Sequence, residues 1–205
     1  MILLSPARPV LDEQHQLQHF LEAGLPLYHI RHYTFDEEQM RAYLSGIPAR
    51  YRDRLVLHSH FHLAKAFGIN RLHVREADRV QRNHEAYIGS FILSTSVHSM
   101  DCFNALASCW AYAFLSPVFP SISKQGYGMS HTVLDQFHLR RNTAVGLVGL
   151  GGINAHNYQQ VLAAGADDVA FLGGIWDAPC PLSTFDTLYP LHRKKQCNDK
   201  QTDLM

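Results

Sequence analysis

Short apolar runs recur along this chain, and stretches with helical periodicity lie between them. The runs are Ile2–Leu4, Leu27–Arg31, Leu55–His58, Arg71–Val74, Ser90–Ser94, Ala111–Leu115, Ala144–Val148 and Asp168–Leu172. The helical patterns are Glu13–Ala23, Phe35–Ser45, Phe61–Phe67, Met100–Cys109, Thr132–Arg140, Ala155–Ala164 and Leu182–Leu191. The weakest stretch, Asp78–Ala86, has few apolar positions and reads as one irregular turn. Continuous apolar strands separated by helices imply a parallel sheet whose faces are both covered. Eight such units in 205 residues predict a single (β/α)8 barrel near the low end of its size range. A doubly wound open sheet is the alternative, because periodicity does not count closure. The barrel is expected over residues 1–192, with a polar, lysine-rich tail over 193–205 that frays.

Composition narrows the partners. A hydrophobic fraction of 46% and a charged fraction of 18% describe a globular chain rather than a disordered one. Lys plus Arg and Asp plus Glu balance at 18 each, so no broad cationic field is available to grip nucleic acid. A compact anion needs only local donors and stays within reach. Cys102, Cys109, Cys180 and Cys197 form no CxxC pair, which points to reduced, structural thiols in a cytoplasm. The apolar start Met1-Ile2-Leu3-Leu4 stops at Ser5-Pro6, too short for a signal peptide. No run approaches the roughly 20 apolar residues that span a membrane. The expectation is a soluble cytoplasmic protein with no nucleic-acid or membrane partner; a homodimer is left open.

Two glycine-bearing turns near the C-terminus carry the first chemical signal. Val148-Gly149-Leu150-Gly151-Gly152-Ile153-Asn154 ends one strand, and Asp168-Val169-Ala170-Phe171-Leu172-Gly173-Gly174-Ile175 ends the next. A missing side chain lets a backbone N–H approach an anion, and a helix start adds free donors and partial positive charge. In barrels, the loops after strands seven and eight form a common phosphate site. Gly151, Gly152, Gly173 and Gly174 are therefore expected to hold a phosphate, against the simpler reading that tight turns use glycine for steric reasons alone. The longest connection, Ser116 to Ser130, is rich in Ser, Pro and Gly, and so long a loop in a compact fold is usually functional.

With both turns placed, the chain resembles the thiamine phosphate synthase and thiazole tautomerase family, from the second strand to the last. Ser116-Pro117-Val118-Phe119-Pro120-Ser121-Ile122-Ser123-Lys124 looks like the family's Gly-Pro-Val-Phe-Pro-Thr-x-Thr-Lys loop. Ser96-Val97-His98-Ser99 is similar to its Ser-x-His-Ser segment, and Gly151-Gly152-Ile153, Ala164-Gly165-Ala166-Asp167 and Gly173-Gly174 follow in the family's order. The resemblance implies a synthase that joins hydroxymethylpyrimidine diphosphate to a thiazole phosphate, with Mg²⁺, releasing diphosphate. It implies Arg31, Ser96 and Lys124 on the diphosphate, Ser121 and Ser123 in place of two threonines, and Asp78 on the metal. The thiazole phosphate would rest on Gly152 and Gly174. The chain departs from the family at three places: His29 and Tyr33 replace a glutamine and a lysine around Arg31, and His58-Ser59 replaces an Asn-Asp pair. His58 can donate to a phosphate oxygen or ligate a metal, but Ser59 supplies no negative charge for a hard cation.

Two other functions stay open. A tautomerase moves a proton on a thiazole phosphate carboxylate, and His98 is the available acid/base, since Pro117 occupies the place of that branch's histidine. A non-catalytic paralogue would bind a thiazole or thiamine phosphate without turnover. His58, His60 and His62 alternate in a way that suggests zinc, but Phe61 onward reads as helix, which breaks the shared face. Trp110 and Trp176 are expected to pack.

Overall fold

In a computed structural model, eight parallel strands close into one barrel in sequence order, and the last pairs with the first. The structure describes residues 1–120 and 132–202, with side chains through residue 193. The strands are β1 (Ile2–Leu4), β2 (Leu27–Ile30), β3 (Leu55–Leu57), β4 (Arg71–Val74), β5 (Ile92–Val97), β6 (Trp110–Leu115), β7 (Gly146–Leu150) and β8 (Asp168–Phe171). Closure settles the architecture in favour of the expected barrel over an open sheet. Two strands begin later than their apolar runs. Before β5, Ser90 and Phe91 N–H both turn back onto the Tyr87 carbonyl, and the ladder starts where Ile92 N–H reaches Asn70. Before β7, the Asn142 side chain accepts from Ala144 N–H, which spends those residues on a turn.

The outer layer is uneven. Helices α1 (Glu13–Glu22), α2 (Glu37–Ser45), α3 (Glu76–Val80), α4 (Met100–Asn104), α5 (Tyr158–Ala163), α6 (Gly173–Trp176) and α7 (Pro181–Thr202) alternate with 3-10 turns. Helix α2 starts on a capping box in which Asp36 and Gln39 satisfy each other's backbone N–H. The stretches expected as helices at Phe61–Phe67 and Thr132–Arg140 shrink to 3-10 turns at Phe61–Leu63 and Leu134–Leu139. Each offers one buried apolar anchor, Leu63 or Phe137, and segments so short gain too little packing to sustain a full helix. Helix α7 runs past Leu191 to Thr202, with Pro190 inside it. Its Phe185 packs on Phe20 of α1 at 4.5 Å, and Phe20 meets Trp176 at 5.6 Å. Both tryptophans are buried, as expected, and Trp176 Nε1 donates to the Leu4 carbonyl at 2.7 Å.

Alternate strand residues point into the barrel. One side of the interior is apolar: Ile2, Leu4, Phe114, Val148 and Ala170 pack together with the Tyr112 ring. The other side is filled by imidazoles. His29, His58 and His73 are 0%, 4% and 2% exposed, so protein groups must meet most of their hydrogen-bonding demand. Their nitrogens bond to protein. The Tyr33 hydroxyl meets His58 Nδ1 at 3.1 Å, His58 Nε2 meets His29 Nδ1 at 2.8 Å, and His29 Nε2 meets the Tyr112 hydroxyl at 2.7 Å. His73 is held at 2.9 Å by Ser94 Oγ on Nδ1 and at 2.9 Å by Ser96 Oγ on Nε2. Its ring stacks on His58 at 4.2 Å and on Phe114 at 4.9 Å. Burial first, and then the nearby Arg31 guanidinium, lowers the His73 imidazole to about 3. Burial, followed by neighbouring positive charge, holds His29 and His58 well below the usual imidazole value. All three are neutral in the folded protein near pH 7.

At the opposite end of the barrel, Asp168 meets the Met1 amino group at 2.6 Å and His192 Nε2 at 2.9 Å. Burial alone would raise its carboxyl, but the His192 and Met1 partners outweigh it and hold Asp168 below the usual carboxylate value.

The loops after β7 and β8 interlock. A Cβ on Gly174 would overlap the Ile153 carbonyl oxygen and meet Asn154 Cα at 3.0 Å. Gly152 has φ +65°, and a Cβ there would meet Phe119 Cβ at 2.7 Å. The glycines thus have a steric reason of their own, whatever else they do.

Two outcomes follow for stability. The three imidazoles are neutral when folded and free to take protons when unfolded, so stability is full above about pH 6.5 and falls below it. For His73 the loss continues toward the folded value of about 3. In chelator-treated protein, urea unfolding should show a slope approaching roughly 4 kcal/mol per pH unit if all three contribute. His73→Gln should flatten it by about one proton; a profile unchanged by that substitution counts against neutral burial. Gly174→Ala should cost ~1–3 kcal/mol in the same measurement, because the atoms it meets are backbone and cannot rotate away.

Candidate functional site

A cavity of about 310 Å³ opens at the C-terminal ends of the strands, the end at which barrel loops build sites. Leu150, Gly151, Gly152 and Ile153 after β7, with Leu172, Gly173 and Gly174 after β8, form one wall. The opposite wall comes from Arg31 and Tyr33 after β2, His58 after β3, His73 of β4 with Arg75 and Glu76, and Ser96 and His98 at β5. Leu4 and Phe114 add apolar surface.

The glycine wall presents backbone donors. Gly151 O accepts from Phe119 N–H at 3.1 Å, and Gly152 O accepts from Asn157 Nδ2 at 2.9 Å. In a planar trans peptide the N–H points opposite to the carbonyl, so Gly152 and Ile153 N–H face away from those partners. Leu172 O takes Ile175 and Trp176 N–H, and Gly173 O takes Asp177 N–H, inside the short helix α6. The Gly173 and Gly174 N–H groups therefore belong to its open first turn, where helical donors lack intrahelical acceptors. A short extra helix directly after strand eight is the arrangement barrels use for phosphate.

The other wall is cationic and hydroxylic. Among the described residues no carboxylate forms an ion pair with Arg31; its backbone N–H is anchored by Ser5 Oγ at 2.8 Å. Burial raises the Tyr33 phenol while Arg31 opposes the shift, and the net effect keeps the hydroxyl protonated. Ser96 Oγ is bonded to His73. His98 Nδ1 lies 2.9 Å from the Ser116 carbonyl, so Nδ1 carries the proton, and Nε2 stands 3.7 Å from Glu76 Oε2.

Arg31, His58, Ser96, His98, Gly151, Gly152, Gly173 and Gly174 thus border one cavity. Ser121, Ser123 and Lys124 lie outside the described residues. Asp78 is not on the lining; its carboxylate pairs with Arg75 Nε at 2.9 Å. The alternating histidines separate, since His58 points inward while His62 meets Glu37 at 3.2 Å on the surface. Sequence reasoning missed His73, Arg75, Glu76, Ser94, Tyr112 and Phe114. Strand parity carried a signal: His29, His73, Ser94 and Tyr112 occupy inward positions of β2, β4, β5 and β6, where a small barrel ordinarily places aliphatic residues.

Mg²⁺ demands oxygen ligands, carboxylates among them. Glu76 is the one carboxylate on the described lining, and Arg79 holds it at 3.1 Å. Residues 121–131 contain no Asp or Glu, and Ser59 Oγ is bonded to His60 Nδ1 at 3.0 Å. Asp78 could take up a cation only by giving up Arg75. This donor set does not suit a resident Mg²⁺ ion.

Comparison with known proteins agrees with the architecture. A thiamine-phosphate synthase of Anoxybacillus flavithermus is 33% identical over 141 residues, covering 67% of this chain and 65% of that protein. Its counterpart in Geobacillus thermodenitrificans is 28% identical over 184 residues, covering 86% of this chain and 80% of that one. The chain thus spans slightly less than two thirds of the Anoxybacillus protein. Among solved structures, the thiamine phosphate pyrophosphorylase of Bacteroides thetaiotaomicron superposes with a TM-score of 0.75 at 22% identity, covering 93% of this chain and 96% of that one. The Pyrococcus furiosus pyrophosphorylase gives 0.75 at 17% identity, over 94% and 95% of the two chains. These two likenesses speak for the fold. No described helix is long and apolar enough to cross a membrane. The family model described as thiamine monophosphate synthase matches residues 3–175, and the chain belongs to that family.

Proposed function

We propose that the protein is a transferase of thiamine biosynthesis that couples hydroxymethylpyrimidine diphosphate to a thiazole phosphate and releases diphosphate. The observation that carries this reading is the two-walled cavity, lined by Gly152, Gly173 and Gly174 on one side and by Arg31, Arg75 and Ser96 on the other. Two phosphorylated substrates need two separate anion sites. The glycine wall takes the thiazole phosphate, with Gly151 shaping the turn.

The reaction breaks the C–O bond between the pyrimidine methylene and diphosphate, and the thiazole nitrogen then forms the new C–N bond. Charge builds on the departing oxygen, so fixed positive charge and hydroxyl donors opposite the glycine wall lower the barrier. Arg31 serves first, with Arg75 beside it; His58, expected on the diphosphate, has both ring nitrogens engaged by Tyr33 and His29. Ser96 reaches the diphosphate once it turns from His73. Lys124, Ser121 and Ser123 enter on the strength of the loop motif. Holding the thiazole by its phosphate aims its nitrogen at the methylene and supplies the orientation a two-substrate reaction needs. The apolar surface of Leu4 and Phe114 keeps water from the pyrimidinyl-methyl cation.

One observation favours a second reading. His98 is fixed in the tautomer with Nδ1–H on Ser116, which leaves Nε2 able to accept a proton in the cavity. Such a group suits isomerisation of a thiazole phosphate carboxylate.

Purified protein given both synthase substrates and divalent metal should form thiamine phosphate. Arg31→Ala and Lys124→Ala should each lower kcat by ~10²–10³-fold, the usual effect of removing one transition-state donor, with unfolding midpoints near wild type. His98→Asn should spare that reaction. Absence of thiamine phosphate with folded wild-type protein, together with isomerisation that disappears in His98→Asn, would instead establish the second reading.

A further inference from the structure

We infer that His29, His58 and His73 form a binding site for a borderline divalent transition ion, zinc or cobalt in kind, at the inner end of the cavity. The inference does not depend on the synthase reading, because it concerns donor chemistry alone.

Three features carry it. The coordinating atoms of the three rings all lie within 4.8 Å of one another, and the rings come from adjacent stretches of the barrel: β2, the end of β3, and β4. Neutral imidazole is the ligand form, so no proton has to be expelled at pH 7 for these rings to bind. Each ring also has a hydroxyl on one nitrogen: Tyr112 on His29 Nε2, Tyr33 on His58 Nδ1 and Ser94 on His73 Nδ1. A polar partner on the remote nitrogen orients metal-binding imidazoles generally. That assigns His29 Nδ1, His58 Nε2 and, once it gives up Ser96, His73 Nε2 as the ligand atoms.

The metal-free hydrogen bonds do not stand in the way. The 2.8 Å link between His29 Nδ1 and His58 Nε2 holds one proton. If that proton sits on His58, the ring changes tautomer and donates Nδ1–H to Tyr33, whose hydroxyl turns from donor to acceptor. No net proton is lost. Two imidazoles on one tetrahedral ion at ~2.0–2.1 Å stand about 3.3 Å apart, so the gap opens by roughly half an ångström. His58, just beyond β3, can supply that movement. His73 exchanges Ser96 for the ion and turns out of its stack on His58, because nearly parallel rings cannot aim in-plane lone pairs at one ion; the fourth position faces the cavity lined by His58 and His73. All-nitrogen ligation selects zinc or cobalt over magnesium. With three neutral ligands and Arg31 nearby, the ion keeps its full charge, so an anionic oxygen is the natural fourth ligand.

The test uses the full chain, stripped with chelator and titrated with Co²⁺ alone. Saturable binding of one ion should give the intense visible d–d bands of low-symmetry cobalt, and Zn²⁺ should bleach them where Mg²⁺ does not. His29→Gln, His58→Gln and His73→Gln should each weaken binding by more than the ~10–100-fold that loss of an outer partner costs. His60→Gln and His62→Gln should bind as wild type does. No bands, or equal loss in the surface variants, overturns the site. Because a core substitution can impair folding, wild-type crystals soaked in Zn²⁺ and measured at the zinc edge give an independent answer. An anomalous peak among the three rings supports the site, and peaks only elsewhere overturn it.

Discussion

A buried imidazole has two nitrogens to satisfy and little water to do it with. That constraint organises the interior of this barrel. His29 and His73 occupy strand positions where a small barrel normally stacks aliphatic side chains, and each unsatisfied nitrogen there would cost on the order of 1–3 kcal/mol. Ser94 and Ser96 meet that demand from the strand next to His73, Tyr112 of β6 reaches across the interior to His29, and Tyr33 closes the series at the cavity. The polar sector is therefore a single unit, in which no member can be exchanged alone without stranding another. Ile2, Leu4, Val148 and Ala170 fill the other sector with apolar side chains.

Much of the architecture was legible in the order of residues. Eight apolar runs separated by periodic stretches led to eight strands, and closure, which periodicity cannot show, emerged from β1 pairing with β8. The short 3-10 covers were not legible. Phe61–Phe67 and Thr132–Arg140 have helix-like spacing, but what decides between a turn and a helix is how much apolar surface the barrel offers at that point. That quantity exists only in three dimensions. Strand starts shifted where side chains such as Asn142 captured backbone donors.

The site divides along the same line. Residues tied to local motifs, Arg31, Ser96, His98 and the four glycines, line one cavity. Residues whose meaning depends on strands far apart in sequence were missed, His73 and Tyr112 above all. A histidine in β4 means little until His29 of β2 and His58 after β3 are seen beside it. Asp78 shows the converse: a carboxylate at a family position carries little force once Arg75 has paired with it.

The interlocked loops after β7 and β8 give the two walls different costs of engagement. Gly174 sits against the Ile153 backbone and Gly152 against Phe119, so this wall is already in one conformation. An anion that meets it pays little in ordering the protein. The facing wall must trade existing bonds, Ser96 from His73 and Arg75 from Asp78, before it can hold anything. Occupancy of the rigid wall is thus governed by fit, and occupancy of the other by exchange. The cavity is a preset receptor on one side and an adaptive one on the other.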